Sequence, residues 1–278
     1  MLYNVKEGKL NIGETALDYI TFGTGAKPLV MIQGLNTRGI KGAGLPLAYT
    51  YRLFAKDYTV YLFDRRPDVW DSITVRDMAK DIASAMDTLH ITNADVLGVS
   101  QGGMIAQYLA IDRPDLVHTM ILAATLCRNN DTVTSVIYNW IALTQEGNMK
   151  ALVHDITVKL YSDNYIRRYK PFLPLLALLQ KPKDTQRFIA LAKACLTCNT
   201  YELLDQIQCP VLVMGGAQDK IVGSTSAKEL ADKLGCELIL YQHFGHAVYE
   251  ETKDFNRKVY GFFKEHENHT SVSNRLSL

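Results

Sequence analysis

The sequence predicts an α/β protein built on a mostly parallel sheet with helices on both faces. Three observations predict it: short apolar runs of continuous rather than alternating character, helical periodicities between those runs, and a G-x-S-x-G turn where one such strand meets a helix. In chain order, strands are expected over residues 15–22, 29–32 and 58–63, then a helix over 74–89 that places Val75, Met78, Ile82 and Met86 on one face. A strand at 94–99 runs through the turn into a helix containing residues 104–110, which stops near Pro114. Residues 120–124 read as another buried strand. After an interruption come a strand at 211–214, a helix at 226–234, a strand at 237–241 and a last helix through 255–263.

The interruption, residues 128–201, has helical periodicity and no strand of comparable strength. It holds Trp140, three prolines (Pro171, Pro174 and Pro182) and the apolar stretch 188–192. Helices inserted between two core strands suit a lid over the carboxyl edge of the sheet, where open α/β sheets bind ligands. The expected organisation is one core domain, residues 1–127 and 202–266, a helical cap at 128–201 and a disordered polar tail at 267–278.

Composition bounds the function. The chain has 278 residues, 47% hydrophobic and 21% charged, which are ordinary globular values and enough for a large core. Lys and Arg number 30 against 29 Asp and Glu, a formal charge of +1, so the balance gives no footprint for nucleic acid or an anionic membrane. The apolar run at 173–179 falls far short of the roughly 20 residues a membrane span needs. The N-terminus, with Lys6, Glu7 and Lys9, lacks the apolar core of a signal peptide, and a cytoplasmic protein is expected. Five scattered cysteines form no disulfide framework, and Cys195 and Cys198, a lone C-x-x-C, read as buried thiols rather than zinc ligands.

The chemistry centres on Gly98-Val99-Ser100-Gln101-Gly102-Gly103. A tight strand-to-helix turn strains its central residue and pushes that side chain above the sheet, so its neighbours must be small, as Gly98 and Gly102 are. Alone the pattern is weak: with Gly near 7% of usage, about one chain in ten of this length would match by chance. Two later sites repeat the logic. Residues 211–219 form a strand entering a Gly-rich turn that ends in Asp219, and residues 238–246 do the same one strand later, ending in His246. The alternatives for these residues are a small turn serine, a turn-forming aspartate after two glycines, and His243 in place of His246; His90, His118, His154, His266 and His269 lack a motif.

GVSQGG, GGAQDKIVG and FGHAVYEE closely match the motifs of the α/β-hydrolase superfamily, which the whole chain resembles, its serine-esterase and enol-lactonase-like branch in particular. The resemblance implies an eight-stranded, mostly parallel sheet with a helical cap inserted after the sixth strand. It implies Ser100 as nucleophile, His246 as base and Asp219 as orienter, with an oxyanion hole from the backbone N–H groups of Leu35 and Gln101. Two departures stand out. Gln33 replaces the histidine usual before Gly34, and Asp64-Arg65-Arg66-Pro67-Asp68-Val69-Trp70-Asp71-Ser72 is bulkier than the family's Gly-rich D-x-R-G-x-G-x-S loop, which alters one wall of the entrance. The implied function is hydrolysis of a small carboxylic ester or lactone through an acyl-enzyme, without metal or organic cofactor and without nucleic-acid or membrane partners; oligomeric state stays open. Carbon–carbon bond hydrolysis, cofactor-free perhydrolysis and a small-molecule receptor on the same scaffold are the alternatives. Ser100 in place of Asp argues against the dehalogenase and epoxide-hydrolase branches.

Overall fold

The computed structural model describes residues 2–170 and 181–267. The apolar run at 173–179, with Pro171 and Pro174, and the polar tail beyond Glu267 lie outside the described residues. Eight strands form one sheet: β1 (Lys6–Ile12), β2 (Thr15–Phe22), β3 (Lys27–Ile32), β4 (Tyr58–Phe63), β5 (Ala94–Val99), β6 (Val117–Ala123), β7 (Val211–Gly216) and β8 (Glu237–Tyr241). Their order is β1-β2-β4-β3-β5-β6-β7-β8. β2 runs antiparallel to both neighbours, and every pairing from β4 to β8 is parallel. This is the mostly parallel, eight-stranded sheet expected.

Continuous apolar strands follow from burial on both faces. Along β3, Val30 and Ile32 enter one core while Leu29 and Met31 enter the other; on β6, Met120 and Leu122 divide from Ile121 and Ala123 in the same way. The first core is covered by α2 (Val75–Thr88), α3 (Gln101–Asp112) and α8 (Ser226–Leu234), with Met78, Ile82, Ile105 and Leu230 facing in. The second is covered by α1 (Gly44–Thr50) and α10 (Phe255–His266), through Ala48, Phe255, Val259 and Phe263. Helix α2 starts at a capping box: Thr74 accepts from the Asp77 N–H, and the Asp77 carboxylate accepts from the Thr74 N–H.

β1 and α1 are among the elements that escape the sequence pattern. β1 carries Lys6, Glu7, Gly8, Lys9 and Asn11 and buries only Ile12, because an edge strand needs little apolar surface. α1 is a seven-residue helix containing Pro46, too short for periodicity to register.

Four described α-helices lie between β6 and β7: α4 (Asp131–Gln145), α5 (Met149–Leu160), α6 (Asp163–Tyr169) and α7 (Thr185–Cys195). Side-chain caps start all four, from Asn130, Asn148, Ser162 and Asp184. The insertion is pinched at its base, where Arg128 and Asn199 form an antiparallel bridge and the Thr200 N–H donates to the Cys127 carbonyl at 2.7 Å. It also reaches the loops at the carboxyl edge. The Ala247 N–H donates to the Leu160 carbonyl at 2.8 Å, the Tyr161 hydroxyl donates to Glu250 at 2.7 Å, and Lys220 pairs with Asp163 at 2.9 Å. A last short helix, α9 (Val248–Glu251), follows His246.

Candidate active site

Ser100 stands between β5 and α3 with φ 54° and ψ −121°, a conformation that a residue bearing a Cβ adopts only under constraint. Its N–H donates to the Ala123 carbonyl at 2.8 Å, and its carbonyl accepts from the Thr125 hydroxyl at 2.8 Å, so both sides of the strained residue are held. The flanking glycines are steric necessities. A Cβ on Gly102 would lie 1.9 Å from the Ile32 carbonyl oxygen, and one on Gly98 would lie 2.6 Å from that of Gly102.

The two later motif residues converge on this turn. His246 Nε2 lies 2.9 Å from Ser100 Oγ, and His246 Nδ1 lies 2.8 Å from Asp219 Oδ2. The Ile221 and Val222 N–H groups donate to Asp219 Oδ1 at 2.8 and 3.0 Å, so a buried carboxylate is satisfied on both oxygens. A carboxylate oxygen only accepts, so the contact with Asp219 suits the tautomer with its proton on Nδ1, which leaves Nε2 facing the serine hydroxyl. His243, the rival in sequence, is exposed.

Leu35 and Gln101 both adjoin Ser100, though by different routes. Gln101 is the first residue of α3, where an N–H has no intrahelical acceptor. Leu35 follows Gly34, which packs so closely that a Cβ there would lie 3.2 Å from Ser100 Cβ. Gln33 takes part through its backbone: its carbonyl accepts from Arg65 Nη2 at 2.6 Å. The bulky 64–72 loop thus contacts the segment before Leu35, while none of its residues lines the cavity onto Ser100. Arg65 is buried, and desolvation pulls its guanidinium down to about 10. Arg66 pairs with Asp81 through Nε and Nη2 at 2.8 and 2.6 Å and lies over the Trp70 ring.

A cavity of about 280 Å³ opens onto Ser100 and His246. Helix α4 supplies Val133, Ile137 and Trp140, one face at helical spacing; α5 supplies Ile156 and Leu160, α7 Phe188 and Cys195, and the Asp219 turn Ile221 and Val222. Arg38, exposed, is the one wall residue with a permanent charge among the described residues. Burial holds the Tyr249 phenol neutral and pushes the Cys195 thiol up to about 11. Trp140 both packs and lines the cavity, with its Nε1–H donating to Asp155 at 2.8 Å. These wall residues carry no motif, and only their helical spacing hinted at a shared face. Cys195 and Cys198 are buried free thiols as expected, and no cluster of metal-ligating side chains occurs among the described residues. No described helix is long and apolar enough to cross a membrane.

The profile of the family described as "Serine aminopeptidase, S33" matches residues 41–253. Among similar curated proteins is the "Putative carbamate hydrolase RutD" of Pseudomonas syringae pv. syringae, 26% identical over 219 residues, 75% of this chain and 84% of that protein. Another is 3-oxoadipate enol-lactonase 2 of Acinetobacter baylyi, 23% identical over 267 residues, 89% of this chain and 97% of the other. Among solved structures, the enol-lactonase from Burkholderia xenovorans LB400 superposes with a TM-score of 0.81 at 20% identity, covering 92% of this chain and 100% of that one. At that identity the superposition speaks for the fold.

Proposed function

Because this chain belongs to the α/β-hydrolase family described as serine aminopeptidase S33, we propose that it is a serine hydrolase that cleaves a small carboxylic ester or lactone through an acyl-enzyme. The observation that carries this reading is the continuous relay from Asp219 through His246 to Ser100, with contacts of 2.8 and 2.9 Å, at a strained turn open to a cavity. In it, His246 Nε2 takes the Ser100 proton as Oγ attacks the carbonyl carbon. Asp219 holds the Nδ1–H tautomer and stabilises the imidazolium without becoming protonated. The Leu35 and Gln101 N–H groups receive the oxyanion. His246 then protonates the departing alcohol, and a water activated by the same nitrogen releases the acid.

The walls narrow the substrate. Helices α4, α5 and α7 act in this reading as a cap, residues 128–201, whose inner face is aliphatic and aromatic, so the buried part of the substrate is a compact apolar group. Enol-lactone or carbamate opening, the reactions named for the relatives, uses the same carbonyl chemistry. Hydrolysis of p-nitrophenyl esters from acetate to decanoate, by the native protein and by Ser100→Ala, tests the reading. Steady turnover with a short-to-medium chain optimum, abolished in the variant, is expected; equal rates for the two proteins would overturn it.

A further inference from the structure

Arg187 stands on α7, its N–H capped by Asp184 at 2.9 Å, and only 14% of its side chain is exposed. Its guanidinium reaches out of the inserted helices to acceptors on two loops of the core. Nη1 donates to Asn36 Oδ1 at 3.3 Å; Nη2 donates to the Arg65 carbonyl at 3.0 Å and to Asp64 Oδ1 at 3.3 Å; Nε donates to the Arg66 carbonyl at 3.4 Å. Each contact is modest, but one planar fork spans all four, which a lysine could not do.

The acceptors are themselves built around the segment that carries Leu35. Buried Asp64 accepts from Asn36 Nδ2 at 3.0 Å, the Ile40 N–H at 3.0 Å and the Arg65 N–H at 2.7 Å. Gly39, at φ +77°, wraps so tightly that a Cβ would lie 2.6 Å from Asp64 Oδ2. On the other side of Leu35, Arg65 Nη2 holds the Gln33 carbonyl at 2.6 Å. The Gln33 carbonyl and the Asn36 side chain, on either side of Leu35, are thus tied to Arg65 and Asp64, and Arg187 ties residues 64–66 and Asn36 to α7.

We propose that Arg187 is a positioning residue: it latches α7 onto the loop bearing the Leu35 N–H and so sets where that donor points. The inference rests on the serine-hydrolase reading above. Oxyanion donors act only when aimed at the tetrahedral oxygen, and a shift of about 1 Å can cost on the order of a hundredfold in rate. A latch of this kind therefore acts on the transition state and leaves ground-state binding in the apolar cavity nearly untouched.

The test compares Arg187→Met, Arg187→Lys and Ser100→Ala with the native protein on the best p-nitrophenyl ester. It also measures inhibition by an alkylboronic acid, which forms a tetrahedral adduct on an activated serine. For Arg187→Met, kcat should fall about ten- to a hundredfold with KM within about threefold, and the boronic acid Ki should rise by the same factor as kcat falls. Arg187→Lys should lie between. A merely structural arginine would lower Tm without moving kcat in the folded enzyme, and that result, or a rise in KM alone, overturns the proposal. If Arg187→Met does not fold, native kcat and Ki in Arg187→Lys overturn it equally. Should Ser100→Ala retain turnover, the reading of the site falls and this inference with it; should it lose turnover while Arg187→Met keeps native constants, only the latch falls.

Discussion

Among the described residues two His–Asp pairs lie at opposite edges of the sheet, one fully buried and the other with its imidazole half-buried, and they differ in what surrounds them. At the carboxyl edge Asp219 meets His246 at 2.8 Å; at the amino edge Asp95 meets His118 at 2.9 Å, a nearly identical contact. The difference lies in the surroundings. Asp219 spends its second oxygen on two backbone N–H groups and leaves His246 Nε2 to a serine hydroxyl. Asp95 instead gathers the Tyr58 hydroxyl at 3.1 Å and the Thr119 hydroxyl at 2.6 Å, both fully buried, and joins three strands. Burial, then the Asp95 carboxylate, keeps the Tyr58 phenol neutral, so it serves as a donor to the carboxylate. At the carboxyl edge a strained turn presents a hydroxyl to the second imidazole nitrogen.

Removing the nucleophile should give the largest effect. Ser100→Ala is expected to lower kcat by roughly 10⁴- to 10⁶-fold, measured in steady state on the preferred ester, with the fold unchanged by circular dichroism. Asp219→Asn should cost about 10⁴-fold in kcat by presenting the wrong tautomer while leaving the geometry in place. The same surgery at the other edge should separate structure from catalysis. Asp95→Ala strands the Tyr58 and Thr119 hydroxyls and is expected to lower stability by about 1–3 kcal/mol in urea titrations. Its kcat should stay within about twofold of native, and a loss like that of Asp219→Asn would erase the contrast between the two edges.

The smallest effect concerns Cys195, a second nucleophile type lining the cavity. With its thiol pushed up to about 11 by burial, little thiolate exists at pH 8. Iodoacetamide should label it slowly in the native protein at pH 8, faster as pH rises, and rapidly in denaturant. Labelling at pH 8 as fast as a free thiol would contradict a buried, unactivated sulfur.

Much of this was legible in the sequence, for reasons that differ by element. Strands buried on both faces announce themselves as apolar runs, whereas β1 hides because an edge strand can be Lys-, Glu- and Gly-rich. The serine, acid and histidine motifs are readable because each is a local turn whose geometry dictates its residues, as the glycines around Ser100 illustrate. The cavity walls and the Arg187 contacts are not local. Arg187 lies 123 positions from Asp64, and nothing near either residue marks the other as its partner. Cavity shape likewise depends on how α4, α5 and α7 seat over the sheet, a matter of packing rather than of motif.

The central claim is that Ser100 is an activated nucleophile with His246 as its base. The most direct measurement is labelling with a fluorophosphonate, read by intact mass and peptide mapping, on the native protein and on His246→Ala. One adduct per chain, mapped to Ser100 and lost in the folded His246→Ala variant, is the predicted result. No adduct on the folded native protein, or an adduct on another residue, would contradict it.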